Sequence, residues 1–167
     1  YNNSRYFNKI SKRIDNMSKK LFGKLPGGEE VYVYQISSGS FTAEIMEYGA
    51  TIISLRPFGN VDVLGGFDTL EQYIVDSSNQ GTVIGRVANR VKNAQFEMDG
   101  KVYQLIANDN GNCLHSGIGF RHKLWKVTAL SDNSITFSYR SPDGEDGFPA
   151  SLAVEVAYTV KDGALLI

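Results

Sequence analysis

Two polar segments hold the residues whose types and spacing could do chemistry. GRVANR (85–90) contains Asn89 and Arg90, and NDNGNCLHSG (108–117) contains His115. A guanidinium presents a planar fork of donors and an amide both donates and accepts, so the first segment suits a ligand with several hydroxyl groups. An imidazole can donate, accept or exchange a proton near neutral pH. Each segment also has a structural interpretation, as solvated surface residues and as a loop histidine held by hydrogen bonds.

The other candidate residues are weaker. His122 lies in GFRHKLW between two basic residues and is interpreted as a surface histidine. Cys113 and His115 would share one face of a strand, so a cysteine–histidine pair is geometrically allowed, but no feature that could stabilise an oxyanion lies nearby. The acidic segment SPDGEDGFPASL (141–152) could bind calcium, yet its spacing differs from an EF-hand loop, and a turn between two strands is favoured.

Metal and cofactor chemistry have little support in the sequence. Two histidines seven residues apart, without a neighbouring carboxylate pattern, make a poor zinc site. The chain contains neither a phosphate-binding loop nor the Gly-x-Ser-x-Gly turn of a serine hydrolase. The sequence therefore predicts no metal site and no bound cofactor.

The elements that must position these residues read as β-strands with short turns. From Glu30 onward the apolar residues alternate with a period of two, and almost no helix is predicted after residue 24. Strands are expected in VYVYQI, in both halves of FTAEIMEYGATIISL and in VDVLGGF (61–67). Hairpins are expected at 95–105, with Asp99-Gly100 as the turn, at 124–140 and at 151–167. The predicted fold class is all-β, with antiparallel sheets packed as a sandwich.

The N-terminal segment has a different pattern. Apolar residues recur at three- and four-residue steps over 4–21 with lysines and arginines between them, which predicts a short amphipathic helix. Residues 1–18 are interpreted as a basic leader that could bind a membrane surface or a partner, dock loosely, or precede a native start at Met17. Residues 19–167 then form the folded portion. Because the chain stops inside the second arm of a hairpin, it is interpreted as part of a longer protein.

Charge and composition exclude several classes of partner. The net charge is −1, and residues 1–24 carry +6, so the remainder has no basic stripe for nucleic acid. The chain has no apolar run near the roughly 20 residues that a membrane span requires, and no apolar signal-peptide core. Cys113 is the single cysteine, which excludes an intrachain disulfide and favours a reducing, cytoplasmic setting.

The order and spacing of four segments closely resemble the aldose 1-epimerase, or galactose mutarotase, family. They are FGKLPGGEEVYVYQI, GATIISL with DVLGGFDTLEQY, VIGRVANRVKNAQFEMDGKVYQLIANDNGNCLHSG and SPDGEDGFPASLAVEVAYTV, so the resemblance covers about residues 19–167. It implies a large twisted antiparallel β-sandwich, the galactose mutarotase-like supersandwich, with an open sugar cleft. It also implies interconversion of the α and β anomers of free hexoses such as galactose and glucose, without metal or cofactor.

The resemblance also assigns roles to the polar segments. Asn89 and Arg90 should bind sugar hydroxyls, and His115 should act in catalysis by hydrogen-bonding near the ring oxygen. Ser116 stands where the family usually has glycine. The family's general acid, in an Asn-His-x-Tyr-Phe-like motif, and its general base, a later glutamate, are absent before Ile167. The chain is therefore interpreted as an N-terminal half, completed by the C-terminal half of the same protein and inactive alone.

Two alternatives remain open on the sequence. One is a non-catalytic carbohydrate-binding module of the same fold. The other is a relative acting on hexose 6-phosphates, which needs a cluster of cations for the phosphate. From this chain, that cluster could draw on Arg86, Arg90 and Arg121.

Overall fold

The computed structural model describes residues 19–167, and the predicted leader at 1–18 lies outside them. The helix expected over 4–21 is wrong at its described end, because Lys19, Lys20 and Leu21 form part of a strand that pairs with residues 32–34. The backbone hydrogen bonds to the neighbouring strand outweigh the helical spacing of the apolar residues here. Within residues 19–167, no helix is long and apolar enough to cross a membrane.

The first sheet contains four antiparallel strands in chain order. They are β1 (Lys19–Lys24), β2 (Glu30–Ser38), β3 (Phe41–Met46) and β4 (Thr51–Arg56). Strand β2 is buried on both faces, because Tyr34 and Ile36 face the main core while Val31 and Val33 face a second apolar cluster. Alternation of side chains along a strand sends these two pairs to opposite sides, as the sequence predicts.

The second sheet is built from the two predicted C-terminal hairpins. Its strands are β9 (Lys126–Leu130), β10 (Ser134–Ser141), β11 (Leu152–Lys161) and β12 (Ala164–Leu166), paired in the order β12-β11-β10-β9. The register of β10 with β11 runs without interruption from Ser134↔Thr159 to Ser141↔Leu152. Strand β9 pairs antiparallel with β10, and β11 pairs antiparallel with β12, which confirms both hairpin predictions, at 124–140 and at 151–167.

The two sheets pack face to face around one apolar core, which confirms the predicted all-β sandwich. Its fully buried members come from both sheets and from the residue before β9, and they include Ile36, Ala43, Ile45, Trp125, Ile135, Phe137 and Val160. Burying each large side chain of this kind contributes roughly 1.5–3 kcal/mol. The Tyr158 hydroxyl also donates a hydrogen bond of 2.7 Å to the Ala50 carbonyl, which links β11 to the loop before β4.

A short helix that the strand pattern does not predict covers the outer face of the first sheet. Helix α1 (Leu70–Val75) buries Leu70 and Tyr73 against the second apolar cluster. Thr69 caps it: the Thr69 hydroxyl accepts from the Gln72 amide, and the Gln72 side chain accepts from the Thr69 amide. This reciprocal pair is a capping box, and Thr-x-x-Gln is its sequence signature.

The strand expected at VDVLGGF (61–67) is wrong. The segment forms only an isolated bridge between Phe58 and Val61. The Asp62 carboxylate accepts from the Leu64 amide within the segment at 3.2 Å. It also accepts from the Ser54 hydroxyl and the Leu55 amide of β4, at 2.7 and 3.0 Å. A short acidic side chain that binds nearby backbone amides competes with a strand ladder.

Two small antiparallel ladders lie in the sequence between the two sheets, and one of them joins the polar segments. Strand β5 (Arg90–Val91) pairs with β8 (Cys113–Leu114). Strands β6 (Gln95–Met98) and β7 (Lys101–Gln104) form the predicted hairpin, with Asp99 and Gly100 at φ of 53° and 73°. Two consecutive positive φ values are those of a type I′ turn, for which Asp-Gly is favoured.

Candidate active site

The β5–β8 ladder brings GRVANR against the His115 loop. Arg90 lies opposite Leu114 in the register. Immediately beyond, the His115 amide donates to the Asn89 carbonyl at 3.0 Å, and the Asn89 amide donates to Nδ1 of the His115 ring at 3.0 Å. The three residues that the sequence analysis singles out, Asn89, Arg90 and His115, therefore lie together.

The bond from Asn89 decides which nitrogen of His115 carries the proton. A backbone N–H can only donate, so Nδ1 must be the accepting nitrogen. The neutral ring then has its proton on Nε2, the nitrogen on the opposite side. The half-buried His115 is thereby held as a hydrogen-bond donor through Nε2.

Ser116 closes the contact between the two loops. Its hydroxyl accepts from the Val87 amide at 2.7 Å and donates to the Val87 carbonyl at 3.0 Å. The side chain is 2% exposed, and the backbone φ is 65°, in the left-handed region that favours glycine. A serine is stable there because its hydroxyl satisfies both polar groups of a facing residue.

Arg90 has an acidic partner that residue types and spacing do not single out. Its Nε donates to Asp109 Oδ2 at 2.6 Å, and its Nη1 lies 3.4 Å from Asn89 Oδ1. Asp109 begins a tight turn in which Asn110 and Gly111 have φ of 48° and 81°. The Asn-Gly dipeptide is a strong signal for such a turn, and could have placed Asp109 beside the neighbouring strand.

Arg86 points away from this cluster and is a structural residue. Its Nε and Nη2 donate to the Ser141 hydroxyl at 3.0 and 2.8 Å, and its Nη1 donates to the Pro149 carbonyl at 2.9 Å. A further bond of 2.9 Å from Nη2 reaches the Pro142 carbonyl. The guanidinium thus attaches the start of GRVANR to the turn that follows β10.

The acidic segment after β10 forms the turn that the sequence predicts. Glu145 accepts from the Tyr139 hydroxyl at 2.6 Å, the Ser141 hydroxyl at 2.5 Å and Lys123 Nζ at 2.8 Å. Burial alone would raise the pKa of the Glu145 carboxyl, but these three donors outweigh it and the pKa is lowered. Across residues 19–167, no group of three or more His, Cys, Asp or Glu side chains is arranged to hold a metal ion.

The prediction of His122 as a surface residue is wrong. His122 is half-buried, and its Nδ1 lies 2.7 Å from the Tyr48 hydroxyl. Burial, followed by the charges of Arg121 and Lys123, lowers the pKa of the His122 ring. It lines a small cavity with Thr51, Tyr73, Asp76 and Asn79, outside the cluster around His115.

Cys113 is buried in a separate apolar cluster with Ala94, Leu105 and Phe148. Burial raises the pKa of the thiol, with the Asp146 charge acting in the same direction. A nucleophilic cysteine requires a lowered pKa. The structure therefore gives the Cys113–His115 pair no role as a catalytic dyad.

Comparison with known proteins gives a consistent result. The sequence model of the aldose 1-epimerase family matches residues 32–167. The galactose mutarotase of Homo sapiens is 41% identical over 158 residues, which cover 91% of this chain and 46% of that protein. The aldose 1-epimerase of Haemophilus influenzae is 37% identical over 120 residues, which cover 70% of this chain and 35% of the relative.

Solved structures agree in fold. A GalM/aldose epimerase homologue from C. elegans superposes with a TM-score of 0.72 at 33% identity and covers 78% of this chain and 42% of that one. Galactose 1-epimerase from Lactobacillus acidophilus gives a TM-score of 0.74 at 21% identity, covering 84% and 43%. This chain thus spans less than half the length of the relatives it matches. Together with the β-sandwich and the clustered GRVANR and His115 loops, these matches show that the chain belongs to the aldose 1-epimerase family.

Proposed function

We propose that the full-length protein is an aldose 1-epimerase that interconverts the α and β anomers of free hexoses, galactose and glucose among them. Family membership supports the reaction class. The observation that carries the assignment of the site is the hydrogen bond from the Asn89 backbone N–H to His115 Nδ1. This bond leaves Nε2–H as a fixed donor beside Asn89 and Arg90. A neutral polyol needs such donors and acceptors.

The proposed chemistry is ring opening by proton transfer. A base takes the proton of the C1 hydroxyl, the bond between C1 and the ring oxygen breaks, and an acid protonates that oxygen. Rotation about C1–C2 and the reverse steps give the other anomer. Negative charge grows on the ring oxygen while the bond breaks, so a donor already aimed at it stabilises the transition state more than the ground state. We assign this role to His115 Nε2–H.

Asn89 and Arg90 are assigned to the sugar hydroxyls. The Asn89 and Arg90 side chains are exposed at the rim of the cluster, and the Arg90 guanidinium has N–H groups beyond those directed at Asp109 and Asn89. The family's general-acid and general-base motifs do not occur in residues 1–167, so we place the proton-transferring acid and base in another part of the protein. On this proposal the isolated chain is inactive, and residues 19–167 are the N-terminal portion of the domain.

The hexose 6-phosphate alternative receives no support from the three arginines. Arg86 is bound to Ser141, Pro142 and Pro149, and Arg90 is paired with Asp109. Arg121 lies in the separate cavity with His122, where it donates to Asn79. The three guanidinium groups do not converge on one point, as a phosphate site would require.

We also propose a cytoplasmic location, on the single buried cysteine.

The test of the site is His115→Ala in the full-length protein, with Lys126→Ala on the exposed side of β9 as the matched control. Losing a hydrogen bond to a charge-bearing group costs about 1.5–3 kcal/mol, so kcat/KM should fall about 10- to 150-fold. Polarimetry of α-galactose measures the rate, and the control should remain at the wild-type value.

The outcomes separate the two parts of the proposal. If the wild-type protein does not accelerate mutarotation, the enzymatic function is wrong, and sugar binding measured by calorimetry would favour the carbohydrate-binding module. If the wild-type protein is active and His115→Ala is equally active, the function stands but the role of His115 is wrong.

A further inference from the structure

The charges of the candidate site reduce to one ion pair. Segments 85–90 and 108–117 contain the arginines Arg86 and Arg90. The Arg86 guanidinium is bound to Ser141 and is not part of the site. Arg90 and Asp109 remain, with 2.6 Å between Nε and Oδ2, and their side chains are 55% and 23% exposed. The rim therefore offers a sugar a guanidinium whose charge is already balanced by a neighbouring carboxylate.

The position of Asp109 is fixed by backbone. The Asn112 amide donates to the Asp109 carbonyl at 2.8 Å, and the Asp109 amide donates to the Asn112 carbonyl at 3.1 Å, which closes the tight turn. The Asn108 side chain then binds both the amide and the carbonyl of Leu114, at 2.7 and 3.0 Å. The turn is thus pinned to β8, the strand that pairs with β5.

Arg90 is fixed from the other side of the same ladder, opposite Leu114. Both members of the pair are therefore carried by backbone whose relative position is set by β5–β8. Little conformational freedom has to be lost for the side chains to meet, which distinguishes this pair from an ordinary surface ion pair between two flexible chains.

We propose that Asp109 is a specificity-determining residue that makes the Arg90 position selective for neutral hexoses over anionic sugars. This inference rests on the proposed function. A neutral hydroxyl can accept from the outer N–H groups of Arg90 while Asp109 holds Nε. A sugar carboxylate or phosphate at the same position meets the Asp109 charge and finds a guanidinium that is already paired. Removing the Asp109 charge frees the Arg90 guanidinium to bind two oxygens of an anion.

The test is Asp109→Asn in the full-length protein, with galactose as substrate and galacturonate as the anionic probe. Asparagine suits the first position of a tight turn, so the turn should persist. Asp132→Asn, in the exposed turn between β9 and β10, is the matched control for the change in net charge. The inhibition constant of galacturonate should fall about two- to fivefold relative to the KM for galactose in Asp109→Asn, and not in the control.

Two further measurements make the result specific. The gain for galacturonate should shrink at high salt, because the pair is partly exposed. It should also vanish in the double variant Arg90→Gln/Asp109→Asn, if Arg90 is the group that binds the anion. Calorimetric binding of galactose and galacturonate gives the same selectivity ratio without turnover.

The outcomes are distinguishable. An Asp109→Asn variant that loses kcat/KM for galactose without gaining affinity for galacturonate would show that Asp109 only orients Arg90, and would overturn the inference. An unchanged selectivity ratio would overturn it as well. If the wild-type protein does not accelerate mutarotation, the proposed function fails, and the calorimetric ratio still decides whether Asp109 discriminates against anions.

Discussion

At the residue scale, the tautomer of His115 is set by a partner that residue type alone does not reveal. The sequence points to Asn89 and His115 by their side chains, but the Asn89 backbone amide is the group that binds Nδ1. The Asn89 side chain is exposed, and its Oδ1 lies 3.4 Å from Arg90 Nη1. The prediction that these residues act together is thus supported by their proximity, while the donor role of Nε2 required the structure.

His122 shows where neighbours in sequence mislead. Arg121 and Lys123 indicate an exposed position, yet the partner of the ring is Tyr48, which lies 74 residues away and packs at a centroid distance of 5.9 Å. A contact so distant in sequence depends on how the first sheet meets the loop before β9. It could not be read from local polarity.

The lowered pKa of His122 predicts a pH dependence of stability. Burial disfavours the charged ring in the folded protein, whereas the unfolded chain protonates near pH 6.5. Below about pH 6.5 the unfolded state binds more protons, so the free energy of unfolding falls as the pH is lowered. His122→Gln should flatten this slope between about pH 6.5 and 5, above the range in which Asp and Glu titrate.

Chemical denaturation of the full-length protein at several pH values measures this slope. Both the wild type and the variant should still lose stability below about pH 4.5, where carboxylates with lowered pKa, such as Glu145 and Asp62, become protonated. Equal slopes for the two proteins between pH 6.5 and 5 would mean that His122 does not titrate in that window.

At the scale of elements, hairpins were predictable and the meeting of the polar loops was not. Asp99-Gly100 between alternating runs specifies its own turn and register. The pairing of β5 with β8, in contrast, places Arg90 opposite Leu114 and involves only two residues of each strand. Ladders this short carry no periodic signal, and their stability comes from the bonds around them.

The Ser116 hydroxyl makes two of those bonds, and a comparison of two substitutions at this position gives a prediction. Ser116→Ala removes the hydroxyl that satisfies both polar groups of Val87 but keeps a β-carbon at φ 65°. Ser116→Gly removes the same hydroxyl and relieves the backbone. Both should cost about 1–3 kcal/mol for the lost hydrogen bonds, and the glycine variant should recover about 1 kcal/mol of it.

Thermal denaturation and polarimetry of the two variants separate stability from activity. We expect kcat/KM to fall in both, because the Val87 backbone leads directly to Asn89. Identical melting temperatures for the alanine and glycine variants would contradict the strain at residue 116. Wild-type activity in both would show that the Ser116 contact does not position the site.

At the scale of the whole molecule, the alternating pattern predicts the sandwich because burial is a property of whole faces. Tyr34 and Ile36 in β2, and Ile135 and Phe137 in β10, lie in the same core. Helix α1 is added to the outer face of β2, where Val31 and Val33 require cover. The sequence pattern shows that both faces of β2 are apolar, but not that a helix covers one of them.

The bond between Tyr158 and Ala50 links the second sheet to the loop before β4 of the first sheet, and it supplies the last prediction. Both residues are almost fully buried, and burial raises the pKa of the phenol, so it remains a donor throughout the physiological range. Tyr158→Phe keeps the ring in the core and leaves the Ala50 carbonyl buried without that donor. An orphaned buried acceptor costs about 1–3 kcal/mol.

The control is Tyr103→Phe, because no hydrogen bond from the Tyr103 hydroxyl is found within residues 19–167 and its ring stacks on Phe96 at 5.4 Å. In urea denaturation of the full-length protein, Tyr158→Phe should lower the midpoint with an unchanged m-value, and the control should not. Equal midpoints would mean that the sheets are held by apolar packing alone. A lowered m-value would mean that the two sheets no longer unfold as one unit, and that this single bond helps to couple them.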